Sequence, residues 1–231
     1  MDSLPNKFGT IFIDADDTLW ESEKYFCRAE AEFAALLLPD DRLEDIRQML
    51  WAKQEDNIPI FGYGSKTYFI SMTDAAVALC GDALPAETYR TIRGIILRLC
   101  THPVEVFPGV EDTLRELSSR HRLILATKGD APEQLRKVAD SGLERYFHSS
   151  EVLKNKNPED YLELCRKYDL EPGSMLMVGN SVRSDINPVV AIGGTAILIP
   201  RDMVWTHEMA EKPRSDRFFE LPSFENLTEI L

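Results

Sequence analysis

The densest cluster of potential chemistry is Asp14-Ala15-Asp16-Asp17-Thr18-Leu19. Three carboxylates within four residues repel one another, which makes a purely structural segment costly. Asp and Thr also favour turns and helix caps, so a local structural role stays open. The chemical use is a divalent-cation site, because hard carboxylate oxygens suit Mg²⁺. Asp14 and Asp16, two residues apart at a strand end, would present a nucleophile and a separate acid/base to one place. Three other segments add to this. Thr127-Lys128-Gly129-Asp130 offers a hydroxyl and then backbone amides at a helix start, a phosphate cradle. Lys154-Asn155-Lys156-Asn157-Pro158-Glu159 places a lysine beside a helix N-terminus, where it can neutralise a phosphate; two solvated surface lysines are the plain alternative. Gly179-Asn180-Ser181-Val182-Arg183-Ser184-Asp185 ends on an acid that caps a helix or brings a second carboxylate to the metal.

The elements around these segments alternate. Thr10–Ile13, Leu123–Ala126, Met175–Val178 and Thr195–Ile199 are short apolar runs of the kind buried on both faces of a parallel sheet. Helical patterns over 111–120, 132–141 and 158–168 lie among them, two opening on proline and one ending before Gly142. The alternation predicts an α/β fold with a doubly wound, Rossmann-like parallel sheet, whose ligands bind at the carboxyl ends of the strands. Residues 21–107 break the rhythm with four helices. Phe26, Phe33 and Leu37 share one face; Leu43, Ile46 and Leu50 a second; Phe69, Met72, Ala76 and Leu79 a third; Tyr89, Ile92, Ile96 and Leu99 a fourth. Gly81 is the expected stop of the third helix. The chain therefore divides into an α/β core, residues 1–20 and 108–231, and an inserted all-helical cap, residues 21–107.

Each signal is modest alone; together, in order, they resemble the haloacid dehalogenase (HAD) superfamily of hydrolases. The family's first motif, DxDxT followed by leucine, is matched by Asp14, Asp16, Thr18 and Leu19. Its strand-end Thr or Ser fits Thr127. Its lysine before a helix fits Lys156, with Lys154 the competing choice. Its GDSxxxD motif appears as Gly179-Asn180-Ser181 with Asp185, Asn180 standing where many members carry an acid. Phe107-Pro108-Gly109-Val110 resembles the family's return from cap to core.

The resemblance implies a phosphatase. Asp14 would attack a phosphate monoester and form an aspartyl-phosphate, while Asp16 would protonate the leaving group and later activate water. Mg²⁺ would be held by Asp14, Asp185 and the backbone carbonyl of Asp16. Thr127, Lys128 and Lys156 would bind the other phosphate oxygens. Thr18 would orient Asp16, and Asn180 a metal-bound water or Lys156. Carbon–halogen-cleaving members lack an acid at the Asp16 position, so Asp16 favours phosphate-ester chemistry. A phosphomutase, or a catalytically silent phosphate-binding relative, shares the same residues. In the cap, Tyr63 and Lys66 are candidate substrate contacts, with an ordinary loop before a helix as the alternative. Trp20 and Glu21 are expected at the entrance, and Phe218-Phe219 in packing.

Composition bounds the rest. The 231 residues carry a net charge of −13, which disfavours a general nucleic-acid binder or an anionic-membrane binder. No apolar run reaches a membrane span, and the N-terminal residues 1–5 lack a leader's basic and apolar regions. Four scattered cysteines without a CxxC pair suit reduced thiols and a cytoplasmic setting. The partner expected is a small phosphorylated metabolite; oligomeric state is not legible.

Overall fold

A computed structural model describes residues 4, 8–37, 43–81, 84–203 and 205–231. Residues 1–3 and 5, on which the no-leader expectation rests, lie outside them, as does the side chain of Leu43. The chain forms two compact units. The first comprises Met1–Glu23, Val104–Lys128 and Gln134–Leu231; the second comprises Lys24–Pro103 with Gly129–Glu133.

The first unit is built on six parallel strands: β1 (Thr10–Ile13), β2 (Arg122–Lys128), β3 (Ser149–Leu153), β4 (Leu176–Gly179), β5 (Thr195–Leu198) and β6 (Phe218–Glu220). Their order is β3-β2-β1-β4-β5-β6. Ile13 stands opposite Leu125 of β2 and Val178 of β4, so the sheet's direction of winding reverses beside β1. That is the switch point where such sheets bind ligands, just beyond the strands' carboxyl ends.

Alternation along β1 explains its burial. Ile11 and Ile13 pack into a cluster with Leu123, Leu125, Leu176 and Val178. Phe12 points the other way, among Ile124, Met177, Tyr161 and Leu164. Successive strand side chains alternate faces, so a run apolar at every position fills two layers at once. Each such side chain contributes roughly 1.5–3 kcal/mol when fully buried. Helix α5 (Val110–Ser118) covers the first layer through Val110, Leu114 and Leu117. Gly109, just before it, has φ 75°, and a Cβ there would meet Glu225 Oε1 at 1.8 Å.

Four helices form the second unit: α1 (Glu23–Leu37), α2 (Leu43–Phe61), α3 (Ser65–Cys80) and α4 (Ala86–Thr101). Their shared core is Tyr25, Ala29, Phe33, Ile46, Leu50, Tyr68, Met72, Ala76, Ile92, Ile96 and Leu99. Glu23, the first residue of α1, clusters with the first unit. Two expected core positions differ: Tyr89 is 42% and Leu79 37% exposed. The helix faces are rotated so that Tyr25 and Tyr68, rather than Phe26 and Phe69, point fully inward. Gly81 follows α3 at φ 67° and ψ −160°, a positive-φ conformation outside the left-handed helical basin that glycine adopts without a Cβ clash.

The helical unit is narrower than residues 21–107. Glu21 N donates to Glu105 O at 3.0 Å and Phe107 N to Leu19 O at 3.0 Å, so both crossings of the chain belong to the first unit. The remaining helices are α6 (Ala131–Ser141), α7 (Pro158–Tyr168), α8 (Asn187–Ala191) and α9 (Leu227–Ile230). Among the described residues, no helix is long and apolar enough to cross a membrane. None of the four cysteines is in a disulfide.

Candidate active site

Asp14 is the first residue beyond β1, and its N–H still donates to Val178 O at 2.9 Å. Ladder bonding continues to the nucleophile candidate and fixes its backbone. Its carboxylate is 8% exposed. Thr18 Oγ1 donates to Asp14 Oδ2 at 2.9 Å. Thr18 thus orients Asp14, not Asp16; the tight turn after Ala15 folds it back over the strand end, with Leu19 N on Ala15 O.

Lys156 is the lysine that enters the site, whereas Lys154 is exposed. Its Nζ donates to Asp14 Oδ1 at 2.5 Å and Asp185 Oδ1 at 2.7 Å, with 2% of the side chain exposed. Its backbone is left-handed, φ 57°. A non-glycine residue there carries strain of the kind stored at functional sites. The start of the next helix enforces the bend: Asn157 caps α7 in a reciprocal capping box with Asp160, and Pro158 opens its first turn. Burial alone would lower the Lys156 pKa, but the charges of Asp14 and Asp185 hold it above its ordinary value.

Asp185 is fully buried and sits on a π-turn, Val182–Ile186, after β4. Its Oδ2 accepts from Ser181 N at 3.0 Å. Burial, then the neighbouring Asp14 charge, outweigh Lys156 and push its pKa up to about 7. A Cβ at position 179 would lie 2.2 Å from Asp185 Oδ2, so Gly179 is what admits this carboxylate against the strand end. Oriented by its hydrogen bonds, Asn180 directs its amide nitrogen to Asp14 Oδ2 and Asp16 O, 3.3 Å from each.

Asp16 has turned to a separate seat. Its carboxylate accepts from Trp20 Nε1 at 2.7 Å, Gln134 Nε2 at 2.8 Å, and Lys137 Nζ at 2.6 and 2.7 Å. Partial burial raises its pKa, but the Lys137 charge and these hydrogen bonds prevail and hold it below the usual value. Trp20 is fully buried beside Asp16 and does not line an entrance. No motif singles out Gln134 or Lys137. Their signal is nevertheless present: with Val138 they form the buried face of α6, two polar residues where an amphipathic helix expects apolar ones.

Thr127 is buried at the end of β2. The side chain of Lys128 does not lie open to a ligand: it is ion-paired to Glu208, a residue that sequence reasoning passed over, and Nζ also donates to Ser184 Oγ at 2.8 Å. Tyr63 and Lys66 belong to the second unit, where Lys66 Nζ pairs with Asp130 Oδ2 at 2.8 Å.

Among the described residues, no three His, Cys, Asp or Glu side chains gather as a metal cluster. The oxygens that converge are two carboxylates, Asp14 and Asp185, and the carbonyl of Asp16. Each already faces nitrogen donors, those of Lys156, Asn180 or Ser181. An all-oxygen set with net negative charge suits a hard cation such as Mg²⁺.

Comparison with known proteins identifies the family. A family model described as haloacid dehalogenase-like hydrolase matches residues 8–193. The glyceraldehyde 3-phosphate phosphatase of Methanothermobacter thermautotrophicus is 26% identical over 208 residues, 84% of this chain and 86% of that protein. The crystal structure of a haloacid dehalogenase-like hydrolase from Xanthomonas campestris superposes with a TM-score of 0.84 at 34% identity, covering 95% of this chain and 88% of the other. The magnesium-bound HAD-hydrolase YfnB of Bacillus subtilis shares the fold, with a TM-score of 0.65 at 20% identity, covering 98% and 99%. With its motifs gathered at one end of one sheet, the chain belongs to the haloacid dehalogenase-like hydrolases.

Proposed function

We propose that this hydrolase is a Mg²⁺-dependent phosphatase that cleaves a small phosphorylated metabolite through an aspartyl-phosphate on Asp14. The observation that carries it is the convergence of Lys156 and Thr18 on the Asp14 carboxylate, with a second acid, Asp16, two residues on. Dehalogenating members of the superfamily have no need of that second acid, because a halide leaves without a proton.

Asp14 and Asp185, with the Asp16 carbonyl, would hold Mg²⁺. When bound, the ion supplies the positive charge that screens an anionic nucleophile from an anionic phosphate. The chain's own cations support that need. Lys156 is shared by Asp14 and Asp185, Lys137 is taken by Asp16, and Lys128 by Glu208. Thr127 Oγ1, the amides after it and Lys156 Nζ bind the remaining phosphate oxygens. Lys156 orients Asp14 for in-line attack. Asp16 would carry the leaving-group proton and then take one from water, a role that requires its carboxyl to leave the Lys137 pair that holds it ionised in this structure.

The helical insertion, residues 24–103, acts as the substrate-selecting cap, with Tyr63 and Lys66 its candidate contacts. Cysteines outside any disulfide and a net charge of −13 support a cytoplasmic enzyme without nucleic-acid or membrane partners. The glyceraldehyde 3-phosphate phosphatase relative supports a short phosphorylated metabolite as substrate class. The test is a panel of sugar phosphates, triose phosphates, nucleotides and phosphoglycolate assayed with Mg²⁺. Release of phosphate from at least one of them, lost on chelation, is expected; no release from any of them, nor from a generic aryl phosphate, refutes the reading.

A further inference from the structure

Beside the site lies a buried cluster that none of the four motifs requires. Glu208 is 9% exposed and sits in a short turn after β5, far in sequence from Asp14. Its Oε1 accepts from Lys128 Nζ, and its Oε2 accepts from the hydroxyls of Ser181 and of Ser184, the latter at 2.5 Å. Lys128 closes the ring by donating to Ser184 Oγ at 2.8 Å. Ser181 Oγ also accepts from Ser184 N at 2.9 Å, which pins the turn that carries Asp185. One carboxylate thus joins the end of β2, next to Thr127, to the loop after β4.

We propose that Glu208 is a positioning residue: it fixes the Lys128 ammonium against the Ser181–Asp185 turn and offsets its charge, and so sets the phosphate affinity of the site. Three features carry this. Both carboxylate oxygens are used, each on a different element. A buried carboxylate in a ring of donors is held for its geometry and charge, since replacing it leaves a buried cation without its partner. The two elements it joins are those that supply Thr127 and Asp185. Because the proposal rests on the phosphatase reading, its test separates the two.

Inorganic phosphate binding, in Mg²⁺, is measured by calorimetry for the wild type, Glu208→Gln and the double variant Lys128→Met/Glu208→Gln, beside kcat and KM for an aryl phosphate. Glutamine keeps the shape and removes the charge. Glu208→Gln is expected to tighten phosphate by about fivefold, an ordinary coupling between neighbouring charges. The gain should shrink with added salt, and the double variant should return to the wild-type value. If Glu208→Gln does not fold, Glu208→Asp, which draws the charge back from Lys128, is expected to tighten phosphate in the same direction. Unchanged or weaker phosphate binding, or a gain that persists without Lys128, overturns the proposal while leaving the phosphatase reading intact. A merely structural Glu208 would lower thermal stability and leave phosphate affinity where it was, which also overturns it. A wild type that neither binds phosphate nor releases it overturns both.

Discussion

Lys137 Nζ grips both carboxylate oxygens of Asp16, at 2.6 and 2.7 Å, from a side chain 2% exposed. The pair joins the middle of α6 to the acidic loop and is therefore structural as well as chemical. Removing one partner of a buried pair costs about 3–5 kcal/mol. Asp16 keeps 26% of its side chain exposed, so the lower end applies to Lys137→Met. The pKa of Asp16 is depressed, so its stabilisation is complete above about pH 3.8 and is lost as pH falls through the lower folded value. Thermal melts across pH should show Lys137→Met less stable than the wild type at neutral pH, with the difference shrinking as pH falls through the titration of Asp16. Superimposable curves would show that the pair contributes nothing.

Asp14→Asn should lower kcat for an aryl phosphate with Mg²⁺ by at least about a thousandfold, since a missing nucleophile is not replaced by its neighbours. Lys156 keeps Asp185 as its partner in this variant, so the fold should persist by circular dichroism. Residual turnover near the wild-type rate would remove Asp14 from the nucleophile's role.

Asp16→Asn addresses the second acid. Loss of acid/base help should slow turnover by about 10²–10⁴-fold. The phosphorylated chain should then build up and be visible by intact-mass spectrometry, with its phosphate on Asp14. Wild-type turnover with no accumulation would reassign the proton transfers.

Metal removal provides a fourth test. Chelation should abolish phosphate release, and Mg²⁺ at about a hundred times its Kd should stabilise the folded chain by about 2.7 kcal/mol. Asp185→Asn should lose most of that shift, because Asp185 supplies one of the two carboxylates proposed to hold the cation. A Tm indifferent to Mg²⁺ in the wild type would remove the cation from the oxygens of Asp14 and Asp185.

The sheet's central strands were legible because a run such as Ile11-Phe12-Ile13 is apolar at every position, which only burial on both faces accommodates. β3 was not, because Ser149-Ser150-Glu151 carries polar side chains on an edge that is only half buried. Neither was β6, since Phe218-Phe219 reads equally as packing and lies at the opposite edge. Local motifs pointed to Asp14, Thr127, Lys156 and Asp185, each at a strand end or just before a helix. Glu208 and Lys137 were hidden for a different reason. Their roles depend on partners 80 and 121 residues away, a relation that no spacing encodes. Thr18 was placed in the right loop but matched to the wrong acid, because a turn of this tightness decides between Asp14 and Asp16 by geometry alone.

The bridge between residues 19–21 and 105–107 has one more consequence. The chain leaves and re-enters at neighbouring points that are already hydrogen-bonded to each other. A module attached in this way can be lengthened, shortened or exchanged while the strand ends beneath keep their register. Evolution is thereby free to vary the intervening residues at a pace of their own, and a protein engineer is offered a ready-made splice point.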